Sequence, residues 1–263
     1  MDETASSELT DLLSEAAHTA WRAYRHAIGT MSADERRRTV GQGADGTETF
    51  LLDVVVEEPV LELLERRGVN VLSEEVGWID RGSAVTVVLD PIDGTANAAA
   101  GVPISAFAAA AVVDDEIISA RVLWFETGRE WSASRGLASD RRVSSREQLE
   151  GASISMLRPR PENAAAWFEL SRRASRVRVL GSSVVEAALV ADGAIDLFCD
   201  PGGDVHRIVD IAATKLLVEQ AGGCVVDIYG RPFTFEPDLR LRWSGVFAAT
   251  RGLADEVLSA VRG

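Results

Sequence analysis

Asp90 and Asp93 stand three residues apart in AVTVVLDPIDGTAN, residues 84–97. The β-branched run before them predicts a buried strand that delivers Asp90 at its carboxyl end. Pro91 forbids simple continuation of the ladder, and Asp93, Gly94 and Thr95 turn the chain toward a helix start. Two carboxylates that converge on such a turn repel each other unless a cation sits between them. The Ile92 carbonyl points into the same turn. Hard oxygen ligands with no nearby His or Cys suit Mg²⁺, and the Gly94 and Thr95 amides suit a phosphate. Taken alone, the spacing also reads as two aspartates capping a strand–turn–helix junction.

Two other segments carry acids at element ends. In VLSEEVG, residues 71–77, a β-branched strand ends in Glu74 and Glu75. Strand alternation aims the two to opposite sides, so one of them is expected to serve as a ligand. In RIVDIAATKLLVEQAGG, residues 207–223, Asp210 reads as the N-cap of a helix. The apolar face of that helix is Ile211, Leu217, Val218 and Ala221, and Gly222-Gly223 ends it. Read by itself, the first segment is better explained as a solvated strand end and the second as a structural cap.

The elements that must hold these acids follow from periodicity. Residues 5–28 predict an amphipathic helix and residues 53–67 a second one. Between them, 31–49 lack periodicity and end in GADGTET, which reads as a mobile loop. Strands are expected at 69–73, 84–90, 104–113, 117–125 and 129–134, with Asp114, Asp115 and Glu116 as a hairpin turn. From residue 145 onward, strands at 154–157, 176–180, 197–199 and 224–227 alternate with helices at 162–174, 183–191, 210–221 and 254–261. An antiparallel sheet therefore precedes an α/β layer, giving an α+β/α/β chain. The expected division is 1–145, with the N-terminal helices and most metal ligands, and 146–263, with Asp210 and the substrate contacts.

The 263 residues are 46% apolar and 26% charged, as in ordinary globular proteins. No apolar run is long enough for a membrane span, and the acidic N-terminus lacks a secretory signal pattern. The expectation is a cytoplasmic protein without a membrane partner. The net charge of −14 argues against a nucleic-acid polymer as partner. It does not exclude an anionic substrate, because a bound cation inverts the local field. Lys215 is the only lysine. Cys199 and Cys224 lack metal-type spacing and are expected to be buried free thiols.

In order and spacing, DPIDGTAN, LSEEVG and IVDIAA…AGG resemble the inositol monophosphatase family of metal-dependent sugar phosphatases. GADGTET…D at 43–53 and GSSVVEAALVADGAIDLFCD at 181–200 extend the likeness, and resemble most the archaeal-type inositol monophosphatase/fructose-1,6-bisphosphatase branch. The resemblance implies a layered α-β-α-β-α sandwich and a phosphoric monoester hydrolase. Metal ligands would be Glu74, Asp90, Asp93, Asp210 and the Ile92 carbonyl, holding two or three Mg²⁺ ions. Thr95 would orient the attacking water, Asp45 and Asp53 would position that water or a further Mg²⁺, and Glu74 would share in the catalysis. Asp93, Gly94, Thr95 and Asp210 would also face the substrate, Gly181, Ser182 and Ser183 would contact its ring or phosphate, and Asp200 would accept a sugar hydroxyl. Hydrolysis would proceed by two-metal activation of water without a covalent phospho-enzyme. His18, His26 and His206 are therefore not expected to be nucleophiles. A homodimer is expected on the same ground.

The sequence departs from the family pattern in three places. The 41–53 loop has no basic residue, Ala98, Ala99 and Ala100 replace an aromatic near Asn97, and Gln220 replaces a glutamate. The alanines are expected to reshape the substrate mouth. The readings in competition are a general phosphatase of small sugar, cyclitol or polyol phosphates, a pathway-specific phosphatase, and a non-catalytic relative that binds a phosphorylated ligand.

Overall fold

A computed structural model describes residues 3–262. Helices α1 (Glu3–Thr30) and α2 (Ala33–Arg36) precede a hairpin of β1 (Thr39–Gln42) and β2 (Glu48–Phe50), which runs directly into α3 (Leu51–Arg66). Strands β3 (Asn70–Ser73), β4 (Gly77–Ile79), β5 (Val85–Asp93), β6 (Ala106–Val113), β7 (Glu116–Trp124) and β8 (Arg129–Ser134) follow, with α4 (Thr95–Ala100) between β5 and β6. Then come β9 (Ser153–Met156), α5 (Ala164–Arg173), β10 (Arg176–Arg178), α6 (Ser183–Ala191) and β11 (Leu197–Cys199). The chain ends with α7 (Ile208–Gln220), β12 (Cys224–Asp227), β13 (Gly245–Ala248) and α8 (Arg251–Arg262).

The first sheet has the order β4-β3-β5-β6-β7-β8 and the second β10-β9-β11-β13-β12. Helices α1 and α3 cover one face of the first sheet. Helices α6 and α7 lie between the two sheets, and α5 and α8 cover the far face of the second. The layers are therefore α-β-α-β-α, as expected. The first sheet is not purely antiparallel, because β3 and β5 run parallel, joined through the β4 hairpin.

Period-2 alternation decides which face each strand residue serves. Val71, Val87, Leu89 and Phe107 pack under α1 and α3. Leu72, Val88, Ala108 and Ala110 pack toward α6 and α7. Asp90 continues the Val88 series and Glu74 the Leu72 series, so both acids emerge on the side where α7 begins. Helix α7 buries most of its circumference, including Ile208, Val209, Ala212, Ala213 and Leu216 as well as the expected stripe, and leaves Lys215 and Glu219 paired at the surface. A helix between two sheets is covered on two opposite sides, so its apolar surface is wider than the single stripe expected from sequence.

Three local expectations change. Residues 31–49 hold α2 and the β1–β2 hairpin rather than a loop. Strand β5 continues through Pro91 to Asp93, with a register shift between Asp90 and Asp93 against β6. An edge or bulge position is where a sheet tolerates proline. Cys199 is buried but Cys224 only half-buried, and both are free thiols. The 114–116 turn is as expected: Asp114 and Asp115 take φ of 50° and 60°, the left-handed pair that a tight two-residue hairpin requires.

Candidate active site

Ordinary strand alternation would send residues i and i+3 to opposite faces. The register shift in β5 removes that conflict, and Asp90 and Asp93 turn the same way. Asp210 meets them from the first turn of α7. One carboxylate oxygen from each of the three lies within 4.8 Å of the others, and all three residues are buried. Gly94 permits the turn: its φ is +87°, and a Cβ there would stand 2.8 Å from the Ile104 carbonyl. The Thr95 hydroxyl donates to the Ile92 carbonyl at 2.8 Å.

Asp210 is not the N-cap. Arg207 holds that position, and Asp210 sits three residues on, accepting the Arg207 amide on Oδ2 at 2.6 Å. Asp53 repeats the arrangement on α3, accepting the Phe50 amide at 3.0 Å. In both cases a first-turn carboxylate satisfies a free amide with one oxygen; the second oxygen of Asp53 has no partner, whereas that of Asp210 accepts from Arg207 Nη2 at 3.0 Å.

The burial and charge of these acids make a cluster that could hold a cation. Asp90 is fully buried, and neither of its carboxylate oxygens has a hydrogen-bond partner. Burial, reinforced by Glu74 and Asp93, raises its pKa well above the usual carboxylate range. Burial, with Asp210 beside it, likewise lifts Asp93 to about 7, although Ser182 Oγ and the Val184 amide, at 2.9 Å, donate to its Oδ2. Asp53 is raised to about 7, chiefly by burial, and its Oδ1 is buried without a partner beside the Thr95 hydroxyl. Unpaired carboxylates at this density fit a divalent cation of the hard, oxygen-seeking kind.

Glu74 and Glu75 diverge as alternation requires. Glu74 turns to the cluster and accepts from Arg207. Glu75 turns to the β1–β2 hairpin and accepts from Thr49. Asp45 reaches the cluster's rim, taking the Thr47 amide and hydroxyl on Oδ1, both at 2.8 Å, and Arg207 on Oδ2 at 2.8 Å. A cavity of about 290 Å³ opens over Asp45, Glu74, Asp93, Ser183 and Asp210.

Arg207 is the residue that sequence reasoning missed. Its guanidinium joins Asp45, Glu74 and Asp210, with Nη2 3.0 Å and Nε 3.1 Å from the two Asp210 oxygens. Its R-x-x-D spacing before Asp210 was the available signal. Arg242 adds a weaker second cation 3.6 Å from Asp45 Oδ2.

Gly181, Ser182 and Ser183 lie beside Asp93, but Ser182 is committed as the cap of α6 and as a donor to Asp93. Ser183 and Gly181 border open space. Asp200 does not reach the cavity. It is fully buried and accepts from the Gly203 amide at 2.8 Å, the Val205 amide at 2.9 Å and the Ser244 hydroxyl at 3.2 Å. It shapes the loop before α7 instead of meeting a sugar hydroxyl. Ala98 and Ala99 are core residues and do not line the mouth. His206 is buried against Phe198 and Phe247, and its Nδ1 accepts the Gly245 amide at 3.2 Å.

Glu186 braces the Gly181–Ser183 segment from below. Its carboxylate accepts from the Ser155 hydroxyl and from the Leu180 and Ser182 amides, at 3.1 and 3.3 Å. Burial outweighs these bonds and raises its pKa to about 7. A folded pKa above the unfolded value means that stability is full below about 4.5 and is lost as pH rises through 7, by up to about 3 kcal/mol. Glu186→Gln cannot titrate. Its melting temperature relative to the parent should shift in the variant's favour between pH 5 and pH 8, and melting curves that stay parallel would refute this.

The comparisons with known proteins agree with this geometry. The sequence model of the inositol monophosphatase family matches residues 7–263. A fructose-1,6-bisphosphatase/inositol-1-monophosphatase of Thermococcus kodakarensis is 35% identical over 242 residues, covering 89% of this chain and 90% of its own. The inositol-1-monophosphatase ImpA of Mycolicibacterium smegmatis is 33% identical over 289 aligned residues, covering 99% and 95%. A crystal structure of an inositol monophosphatase–fructose 1,6-bisphosphatase superposes with a TM-score of 0.84 at 25% identity, covering 95% of this chain and 98% of that one. With the layered fold, the acid cluster at the start of α7 and a match that spans nearly every described residue, the chain belongs to the inositol monophosphatase family.

Proposed function

We propose that the chain is a Mg²⁺-dependent phosphomonoesterase that hydrolyses the phosphate ester of a small sugar, cyclitol or polyol. The observation that carries this reading is Asp90, whose two buried oxygens have no partner while Asp93 and Asp210 face the same point. Glu74, Asp90, Asp93, Asp210 and the Ile92 carbonyl would hold two or three ions. Bound there, a divalent cation supplies Lewis acidity toward a phosphate oxygen and lowers the pKa of water.

The chain's own groups do the rest. The Gly94 and Thr95 amides receive the phosphate at a turn that only glycine allows. Thr95 Oγ1 orients the attacking water. Asp53, with a free buried oxygen beside Thr95, would position that water or a further ion. Asp45 holds the hairpin edge over the site through its bonds to Thr47 and Arg207.

Phosphate release from a panel of sugar, cyclitol, polyol and nucleoside monophosphates, with and without Mg²⁺, tests the reading. At least one ester should release phosphate with a kcat on the order of 1 s⁻¹ or more, and only with the metal. Tight binding of a panel member with no release of phosphate would identify a binder instead. A strong preference for one ester would single out a pathway-specific enzyme.

A further inference from the structure

Helix α3 buries Leu52, Val56, Val60, Leu63 and Leu64 against α1 and the first sheet. Its outward stripe is not the polar one that a solvated helix carries. Val54, Glu58, Leu61, Glu62 and Glu65 follow at spacings of three and four, so they share one side of the helix. Beside that stripe runs β4, the edge strand of the sheet. The two enclose a groove of about 430 Å³, to which Val76 and Ile79 also contribute. Leu61 and Ile79 rest partly on the core, but Val54 is 37% exposed and Val76 44%. Trp78 stands on the same edge strand, 40% exposed.

The exposed charges around these apolar groups have one sign. Among the described residues, Glu58 and Glu65 take part in no ion pair. Glu62 meets Arg66 at 4.0 Å, a surface contact of little strength between side chains 65% and 66% exposed. Arg81 also lines the groove, but its Nη1 is spent on the Val69 carbonyl at 2.9 Å. Glu57 lies deeper and accepts from the Ser73 hydroxyl at 2.5 Å.

Apolar side chains rimmed by unpaired acids select their occupant by charge. A second copy meeting the same face about a two-fold axis would set these glutamates against one another. Nucleic acid and an anionic lipid surface are repelled for the same reason. A helix with apolar residues at i, i+3, i+4 and i+7 and cations on its flanks complements both floor and rim. The stripe from Val54 to Glu65 is about 17 Å long, enough for three turns of such a helix.

We propose that the α3–β4 groove docks a basic amphipathic helix of a partner protein. The apolar face of that helix would lie on Val54, Leu61, Val76 and Ile79, and its Arg or Lys residues against Glu58, Glu62 and Glu65. The groove is built on elements that also serve the acid cluster, since Asp53 lies in the first turn of α3 and Val76 follows Glu74 by two residues.

Two fluorescein-labelled peptides of about 18 residues serve as probes, with leucines at i, i+3, i+4 and i+7 in both. One carries arginines on its flanks and the other glutamates. In anisotropy titrations at about 0.15 M salt, the parent protein should bind the basic peptide with a Kd on the order of 10 μM and the acidic one at least about tenfold more weakly. Glu58→Lys/Glu62→Lys/Glu65→Lys should weaken the basic peptide at least about tenfold. Asp140→Lys/Glu147→Lys/Glu150→Lys makes the same charge change at exposed positions elsewhere and should alter binding less than about twofold. Val54→Asn/Val76→Asn removes apolar contact at two exposed sites and should weaken binding about fivefold. No binding to the parent, equal loss in the two charge variants, or no loss in the valine variant overturns the proposal. So does a dimer in sedimentation velocity that the Glu58/Glu62/Glu65 variant dissolves, because a second copy would then cover the face.

Discussion

Asp90→Asn should lower kcat about a thousandfold, roughly 4 kcal/mol of transition-state stabilisation, while the metal-free protein becomes more stable than its parent. The two effects have one origin. Asp90 is fully buried, both oxygens lack a donor, and Glu74, Asp93 and Asp210 surround it with like charge. Its ionised form is costly to fold, and a bound cation removes that cost. Asparagine keeps the shape, removes the charge and brings an amide that can donate to Asp93 or Asp210. Melting curves with and without Mg²⁺ should therefore show a higher metal-free melting temperature and a much smaller response to the metal. Activity within tenfold of the parent, or an unchanged Mg²⁺ response, would remove Asp90 from the centre of the site.

The acids of β5, β3 and α7 were legible because they end elements whose patterns are strong. Val87, Val88, Leu89 and Asp90 alternate between two cores, and that alternation alone fixes the side on which Asp90 emerges. Glu74 and Glu75 separate by the same rule. Less was legible where tertiary context decides. The β1–β2 hairpin has an exposed first strand and no apolar periodicity, so its pairing is set by contact with Glu75 and α3 rather than by its own pattern. Asp210 looked like a cap because a cap and a first-turn residue differ by three positions, within the precision of a boundary read from sequence. Asp200 matched a motif, yet three donors from its own loop and Ser244 close its carboxylate. Arg207 left the weakest trace, since its role depends on Asp45 and Glu74, which are 162 and 133 residues away.

Arg207→Met should destabilise the metal-free protein strongly and the Mg²⁺-loaded protein far less. The guanidinium bridges Asp45, Glu74 and Asp210, and its side chain is only 14% exposed. Removing one partner of a buried ion pair costs about 3–5 kcal/mol, because the remaining charges stay buried and uncompensated. Here three carboxylates lose their shared cation, and the 3.6 Å contact of Arg242 with Asp45 replaces little of it. For a chain of this size the loss corresponds to roughly 10 °C in melting temperature. A divalent cation at Asp90, Asp93 and Asp210 supplies positive charge to the same group of acids, so Mg²⁺ should recover most of the loss. Methionine keeps the apolar length of the stem while removing its charge, which separates electrostatics from packing. An equal loss with and without Mg²⁺ would make Arg207 a packing residue only. A loss confined to the metal-free state would mean that the fold carries its own counter-cation for the acids that a metal is built to share.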